Sequence, residues 1–172
     1  MELLERFAQG DLEAFETLFR QFQHEVYRWI VRIVRDPAAA EDLTVEAFWR
    51  IYRAHARFRP EGNFGGWARR IATNVALDHL KRSRREVELA EDVPAPGSPD
   101  PAIQQETRKK IARAFAELSP RLRAAATLAL VEEEPYERIA EGLGISEGGV
   151  KTRVSRAVEQ LRKKLRELRV ER

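Results

Sequence analysis

The chain has 172 residues, no cysteine, and 31 lysine and arginine residues against 28 aspartate and glutamate residues, which gives a formal net charge of +3. This length allows one ordinary domain or two small ones and excludes a large barrel enzyme, and the missing cysteines exclude disulfides, thiolate zinc sites and thiol nucleophiles. No stretch reaches the roughly 18 uncharged apolar residues of a membrane span, and charged residues follow Met1 directly, so we expect a cytoplasmic protein without membrane insertion.

The small net charge hides a segregation along the chain. Residues 1–85 carry 15 basic and 12 acidic side chains, residues 86–105 carry five acidic and no basic ones, and residues 106–172 carry 16 basic and 11 acidic ones. The acidic segment holds four of the eight prolines, which exclude a helix through its second half. We predict a flexible linker at 86–105, either a solvated spacer or a mimic of nucleic acid that covers a basic face when DNA is absent.

Apolar spacing predicts three helices in the first half. From Asp11 to Ile33 apolar residues recur every three or four positions, which fits one face of a helix and no strand. Asp36 and Pro37 predict a capped start for the next helix. A third helix is expected over about 64–85, with its buried side predicted to include Trp67, Ile71, Val75 and Leu80. Three helices of this kind form a small bundle.

The second half has the pattern of four further helices. We predict a helix over 103–118, one that starts at Ser119 and Pro120 and reaches about Val131, a short one over 135–142, and one capped by Ser146 that runs to about Leu168. The acidic residues 132–134 are expected to form a solvated loop. Strand patterns and hairpin dipeptides are missing. The predicted fold is therefore all-α, with an N-terminal domain at 1–85 built as a three-to-four-helix bundle and a four-helix domain at 106–172.

Residues 135–165 have the pattern of a helix-turn-helix, whose second helix reads base edges in the major groove. Residues 151–172 contain nine basic and three acidic side chains, a surplus suited to phosphate contacts. An ordinary solvated basic helix is the alternative. The outward-facing residues left for DNA are Glu147, Gly148, Lys151, Thr152, Arg153, Ser155 and Arg156.

A second candidate nucleic-acid site lies on the helix over 64–85. Asn74 and Asp78 are four residues apart on one face, and Arg82 extends that face by another turn. Upstream, Phe58, Phe64 and Trp67 bracket a glycine-rich turn, and aromatic rings beside basic residues suit single-stranded nucleic acid. The alternative for these rings is a place in the core.

Catalytic patterns are missing from the sequence. His24, His55 and His79 stand singly, outside any known metal-binding or nucleophile motif. We therefore predict structural histidines, no metal, no cofactor and no enzyme activity.

Taken in order over about residues 9–168, these motifs resemble the bacterial RNA polymerase sigma factors of the extracytoplasmic-function (ECF) group of the sigma-70 family. The resemblance implies that the first half docks on the clamp coiled coil of the largest polymerase subunit, and that the flap of the second-largest subunit is a further contact. It also implies an anti-sigma factor as a partner. The core-polymerase contacts that it implies are Asp42, Leu43, Glu46, Phe48 and Trp49.

The same resemblance assigns two DNA-reading sites. In the minus-10 site, Asn74 and Asp78 would contact bases while Lys81 and Arg82 hold phosphates, and the full set is Phe58, Asn63, Phe64, Trp67, Arg70, Asn74, Asp78, Lys81 and Arg82. The minus-35 site adds Ser146 to the outward-facing residues of the last helix.

The function implied is promoter-specific initiation of transcription with core RNA polymerase, including help in melting DNA. Two alternatives stay open from the residues. One is a stand-alone helix-turn-helix regulator. The other is a protein that binds polymerase or an anti-sigma factor without initiating, which is motivated by departures from the family's pattern at Val45, Gly65 and Gly149. Gly66 departs from that pattern as well.

Overall fold

A computed structural model describes residues 2–89 and 102–170 of the chain, with side chains for 2–85 and 106–167. These residues form eight α-helices and no strand, which confirms the all-α prediction. The helices are α1 Leu3–Ala8, α2 Leu12–Val34, α3 Pro37–Arg53, α4 Phe64–Leu89, α5 Ala102–Glu117, α6 Pro120–Ala126, α7 Tyr136–Leu143 and α8 Glu147–Val170. None of them, within the part of the chain described, is long and apolar enough to cross a membrane.

The helix starts follow the capping residues of the sequence. Asp11 and Asp36 accept hydrogen bonds from backbone N–H groups in the first turns of α2 and α3, and Ser119 caps α6 in the same way. Ser146 Oγ accepts the N–H of Gly149 at 3.0 Å at the start of α8. These side chains satisfy N–H groups that have no partner within the helix.

Several boundaries differ from the sequence prediction. The short helix α1 was not predicted, although its Phe7 is fully buried. Helix α6 ends at Ala126 and continues as a π-helical turn over Thr127–Val131. Helix α4 extends to Leu89 and α5 begins at Ala102, so both reach into the segment expected to be linker. Residues 90–101, on which both interpretations of the acidic linker depend, lie outside the described residues.

The main apolar core continues from the first half into the second. It joins Trp29 and Ile30 of α2 and Ala72 of α4 with Ile139 of α7 and Val150 of α8. A smaller cluster holds α5, α6 and α8 together through Ala114, Leu118, Ala126, Ala157 and Leu161. The two halves therefore pack against each other in this structure, with α7 against α2 and α4.

Candidate nucleic-acid and polymerase interfaces

The outer face of α3 carries an exposed aromatic and acidic surface. Trp49 is 58% exposed and Val45 is 67% exposed, with Asp42 also at the surface. Leu43 and Phe48, which the sequence assigned to a partner contact, are only 4% and 2% exposed. Their side chains pack into the core because they lie on the apolar face of α3. In this conformation they hold α3 in place and are not themselves exposed to a partner.

Arg50 connects this face of α3 to α4. Its guanidinium group pairs with Glu46 at 2.8 Å and with Asp78 at 3.1 Å. Burial disfavours the charged form of Arg50, but the hydrogen bonds to Asp78 and Glu46 outweigh it, and its pKa is raised. Asp78, a predicted base reader, is therefore held in place by a side chain of the predicted polymerase-binding helix.

The aromatic residues around the glycine-rich turn form a cluster. The Phe58 and Trp67 ring centroids are 5.0 Å apart, and Phe64 lies 5.5 Å from both Phe58 and Phe7. Phe58 and Phe64 are buried, and Trp67 is half-buried. The expectation that Phe58 and Phe64 stack directly on bases does not fit this conformation, in which the core alternative holds for both rings.

One face of α4 is exposed and carries the other predicted minus-10 residues. Arg70, Asn74 and Asp78 follow each other at intervals of four, and Lys81 and Arg82 continue the face by one turn. All five are exposed. Polar groups flanked by basic ones on one helix face are suited to base contacts between phosphate contacts.

Helix α7 lies against the beginning of this face, in what we call the α4–α7 contact. The Glu141 carboxylate accepts hydrogen bonds from Asn63 at 3.3 Å and from Arg69 at 2.7 Å, and its backbone carbonyl accepts one from Arg70 at 3.4 Å. The buried hydroxyl of Thr73 accepts the indole N–H of Trp29 at 2.8 Å and lies 2.9 Å from the carbonyl oxygen of Gly142, to which it can donate. Two predicted minus-10 residues, Asn63 and Arg70, are thus engaged by the second half of the chain.

Two further ion pairs join the end of α2 to the loop before α7. Arg32 pairs with Glu134, and Arg35 pairs with Glu132. The expectation that residues 132–134 form a solvated loop is therefore wrong for Glu132 and Glu134, because Arg32 of α2 and Arg35, which directly follows α2, pair with them. A cavity of about 380 Å³ beside these pairs is lined by Glu25, Arg28, Trp29, Arg32, Arg69 and Arg138.

The helix-turn-helix has the predicted form. Gly144 ends α7 with φ +70°, a conformation that favours glycine, and turns the chain towards α8. Ile139, Val150 and Val154 are buried between the helices, while Leu143 and Ile145 are partly buried. These apolar side chains join α7 to α8.

The side of α8 predicted to face DNA is exposed. Glu147, Gly148, Lys151, Thr152, Ser155 and Arg156 are exposed, as is the capping Ser146. Arg153 is half-buried, and burial together with the nearby Arg121 lowers its pKa. The predicted minus-35 residues thus form one surface, with Arg153 at its inner edge.

The residues that join the two halves were not predicted from the sequence. More than a hundred residues of the chain separate Trp29 from Glu141 and Gly142. No spacing pattern relates these residues to one another or to Thr73. The single available signal was Gly142 itself, an interior helical glycine at a position where alanine is favoured.

Comparisons with known proteins cover both halves. The family model described as Sigma-70 region 2 matches residues 18–86, and the one described as Sigma-70, region 4 matches residues 108–161. The RNA polymerase sigma factor CarQ of Myxococcus xanthus is 36% identical over 98% of this chain and 98% of its own length. The ECF RNA polymerase sigma factor SigE of Mycolicibacterium smegmatis is 37% identical over 90% of this chain and 62% of its own length.

A solved structure shares the fold. It is the sigma factor RpoE of Bartonella quintana in complex with the anti-sigma factor NepR, with a TM-score of 0.53 and 22% identity over 90% of this chain and 98% of that one.

Proposed function

The chain belongs to the sigma-70 family of RNA polymerase sigma factors, in its ECF group, and we propose how its described surfaces divide the work of promoter-directed transcription initiation. Initiation at promoters is the function that both family regions and the full-length relatives support. We set aside the alternative of a stand-alone helix-turn-helix regulator, because it does not explain why the first half of the chain matches Sigma-70 region 2.

The exposed face of α3 binds core polymerase in this proposal. Trp49 is a large aromatic side chain that is exposed to solvent, and Val45 and the acidic Asp42 are exposed on the same helix. An aromatic anchor with flanking carboxylates suits a basic partner helix such as the clamp coiled coil. The departure at Val45 keeps an apolar side chain at this surface, so we include Val45 in the contact. The flap of the second-largest subunit is the expected contact of the second half.

Each half reads one promoter element. On α4, Asn74 and Asp78 meet bases of the minus-10 element while Arg70, Lys81 and Arg82 hold phosphates. On α8, Lys151 and its exposed neighbours enter the major groove at the minus-35 element. Extruding a base costs a few kcal/mol, which contacts in the minus-10 site can offset. Linking two weak readers raises the effective concentration of each at the promoter.

The chain itself catalyses no reaction in this proposal and acts in the cytoplasm, where polymerase and promoter DNA are. An anti-sigma factor is the further partner that we propose, supported by the family resemblance and by the complex in which the fold-sharing RpoE was solved.

The observation that carries the polymerase contact is the exposure of Trp49, and replacing it tests the proposal. Trp49→Ala should weaken binding to core polymerase by about 30-fold, since a central aromatic anchor contributes about 2 kcal/mol or more. Its free energy of unfolding should change by less than about 0.5 kcal/mol, as for other surface substitutions.

Leu12→Ala is the matched control. Leu12 is also an exposed apolar residue of the first half, 57% exposed on α2, and its removal should leave the affinity for core polymerase unchanged. Equal affinities of Trp49→Ala and Leu12→Ala, measured by fluorescence anisotropy with labelled protein, would contradict the assignment of this face.

A further inference from the structure

Asp78 is an acidic residue on a helix face that is predicted to meet DNA. Its side chain is exposed on α4, between Asn74 and the basic pair Lys81 and Arg82. Phosphates repel a carboxylate, so Asp78 contributes to DNA reading only if it accepts a hydrogen bond from a base amino group. Such a bond depends on direction, and the carboxylate therefore has to be held at a defined angle.

Arg50 holds this carboxylate from the neighbouring helix α3. One of its terminal nitrogens, Nη1, donates to Asp78 Oδ2 at 3.1 Å, and the other, Nη2, donates to Glu46 Oε1 at 2.8 Å. Because the guanidinium group is planar and rigid, the bond to Glu46 fixes the direction in which Nη1 points. In the described part of the chain, Asp78 Oδ1 accepts no hydrogen bond, so this oxygen is left for a base.

Stability does not account for this arrangement. The side chains of Arg50, Glu46 and Asp78 are 38%, 37% and 56% exposed, and ion pairs at such exposure contribute little to folding. Holding three side chains in one geometry also costs conformational entropy. The benefit of the arrangement is therefore the direction that it gives to the Asp78 carboxylate.

The chemistry of the base edges indicates which bases an oriented carboxylate selects. On the edge that faces the major groove, cytosine and adenine each carry an exocyclic amino group, whereas guanine and thymine present acceptors there. An acceptor oxygen held at one angle therefore favours cytosine or adenine at the position that it faces. A carboxylate that rotates freely spends less time in the bonded direction, and the preference becomes weaker.

We propose that Arg50 is a positioning residue for base reading, which orients the Asp78 carboxylate towards the amino group of a cytosine or an adenine in the minus-10 element. The inference rests on the proposed function, because it assigns a specificity to the same DNA-reading helix. Arg50 acts through Asp78 and needs no contact of its own with DNA or polymerase. Glu46 anchors the guanidinium group on α3.

The base preference at each position of the minus-10 element tests the proposal. Core polymerase with the full chain is given a DNA library in which the minus-10 element of a promoter that it transcribes is randomised, and the DNA retained in heparin-resistant open complexes is sequenced. The parent should prefer cytosine or adenine at one position by about tenfold, within the range for one base contact. Asp78→Ala should abolish that preference. Arg50→Gln should reduce it to about threefold or less, at the same position only.

Arg53→Gln is the matched control. Arg53 is an exposed arginine one turn further along α3, without an acidic partner in the described part of the chain, and its replacement should leave every preference unchanged. Arg50→Lys keeps the charge but lacks the planar fork that spans two carboxylates, so it should give an intermediate preference. It also covers the case in which Arg50→Gln fails to fold. Adding Arg50→Gln to Asp78→Ala should change nothing further at this position.

The position of the change separates base reading from a general defect. A weaker affinity for core polymerase lowers all sequences alike, so it does not imitate a change at one position. An Arg50→Gln protein with the parent's preferences, a loss spread evenly over all positions, or no position that responds to Asp78→Ala would overturn the positioning role while the proposed function stands. A parent that forms no open complex on any template would instead contradict the proposed function, and this inference with it.

Discussion

Replacing Thr73 by valine should destabilise the protein well beyond what its small change in shape suggests. Thr73 is 2% exposed, and its hydroxyl accepts the indole N–H of Trp29 and faces the carbonyl oxygen of Gly142. Valine keeps the volume but offers no acceptor to the indole N–H of Trp29. The single hydroxyl proton of Thr73 also lies within reach of the Arg69 carbonyl oxygen, at 2.8 Å, so the group that loses its partner is the indole N–H of Trp29. One buried polar group left without a partner costs about 1–3 kcal/mol, which is the predicted loss.

Thr73→Ser is the control that separates the hydroxyl from the methyl group. Serine keeps the hydrogen bonds and loses one buried methyl, which predicts a loss of about 1 kcal/mol. Urea denaturation followed by circular dichroism measures both free energies of unfolding. The prediction is that valine is the more damaging of the two. A Thr73→Val protein as stable as Thr73→Ser would refute the hydrogen-bonded contact between Trp29, Thr73 and Gly142.

Two further predictions concern helix starts. Ser146→Ala removes the cap on the Gly149 N–H, so we expect about 1 kcal/mol less stability at the start of α8 and weaker binding to a minus-35 duplex in gel-shift titrations. Gln160→Ala, at an exposed position of α8 outside the predicted DNA-binding set, is the control and should leave both unchanged. The pKa of Asp11 is lowered by its hydrogen bonds to Arg6 and to the N–H of Ala14. Its stabilising effect should be present above about pH 4 and be lost as the pH falls further; an Arg6→Gln variant with the same acid dependence as the parent would speak against that cause.

Local chemistry made the helices predictable. Asp11, Asp36, Ser119 and Ser146 each combine a capping side chain with an apolar spacing that follows, so starts and helix type could be read from short windows of sequence. Helix α1 was not predicted because a stretch of six residues is too short to show a helical period. The end of α6 was not predicted because the π-helical turn that follows it keeps the apolar character of a helix.

The directions of side chains and the contacts between distant residues were harder to predict from the sequence. The resemblance gave the residue types of the polymerase and minus-10 sites, but it did not reveal that Leu43, Phe48 and Phe58 turn inwards in this conformation. The approach of Glu141 to Arg69 depends on how two separate helical units pack. No short window of the sequence contains that information. A charged segment such as 132–134 is therefore predicted to be a solvated loop, because its partners at the end of α2 are far away in the chain.

Transcription with purified components is the most direct measurement of the central claim. Core RNA polymerase should produce run-off transcripts from specific promoters in fragmented genomic DNA only when this protein is added, and substitutions in the minus-10 or the minus-35 element of each promoter should abolish them. A core enzyme that gives the same transcripts with and without the protein would contradict the account.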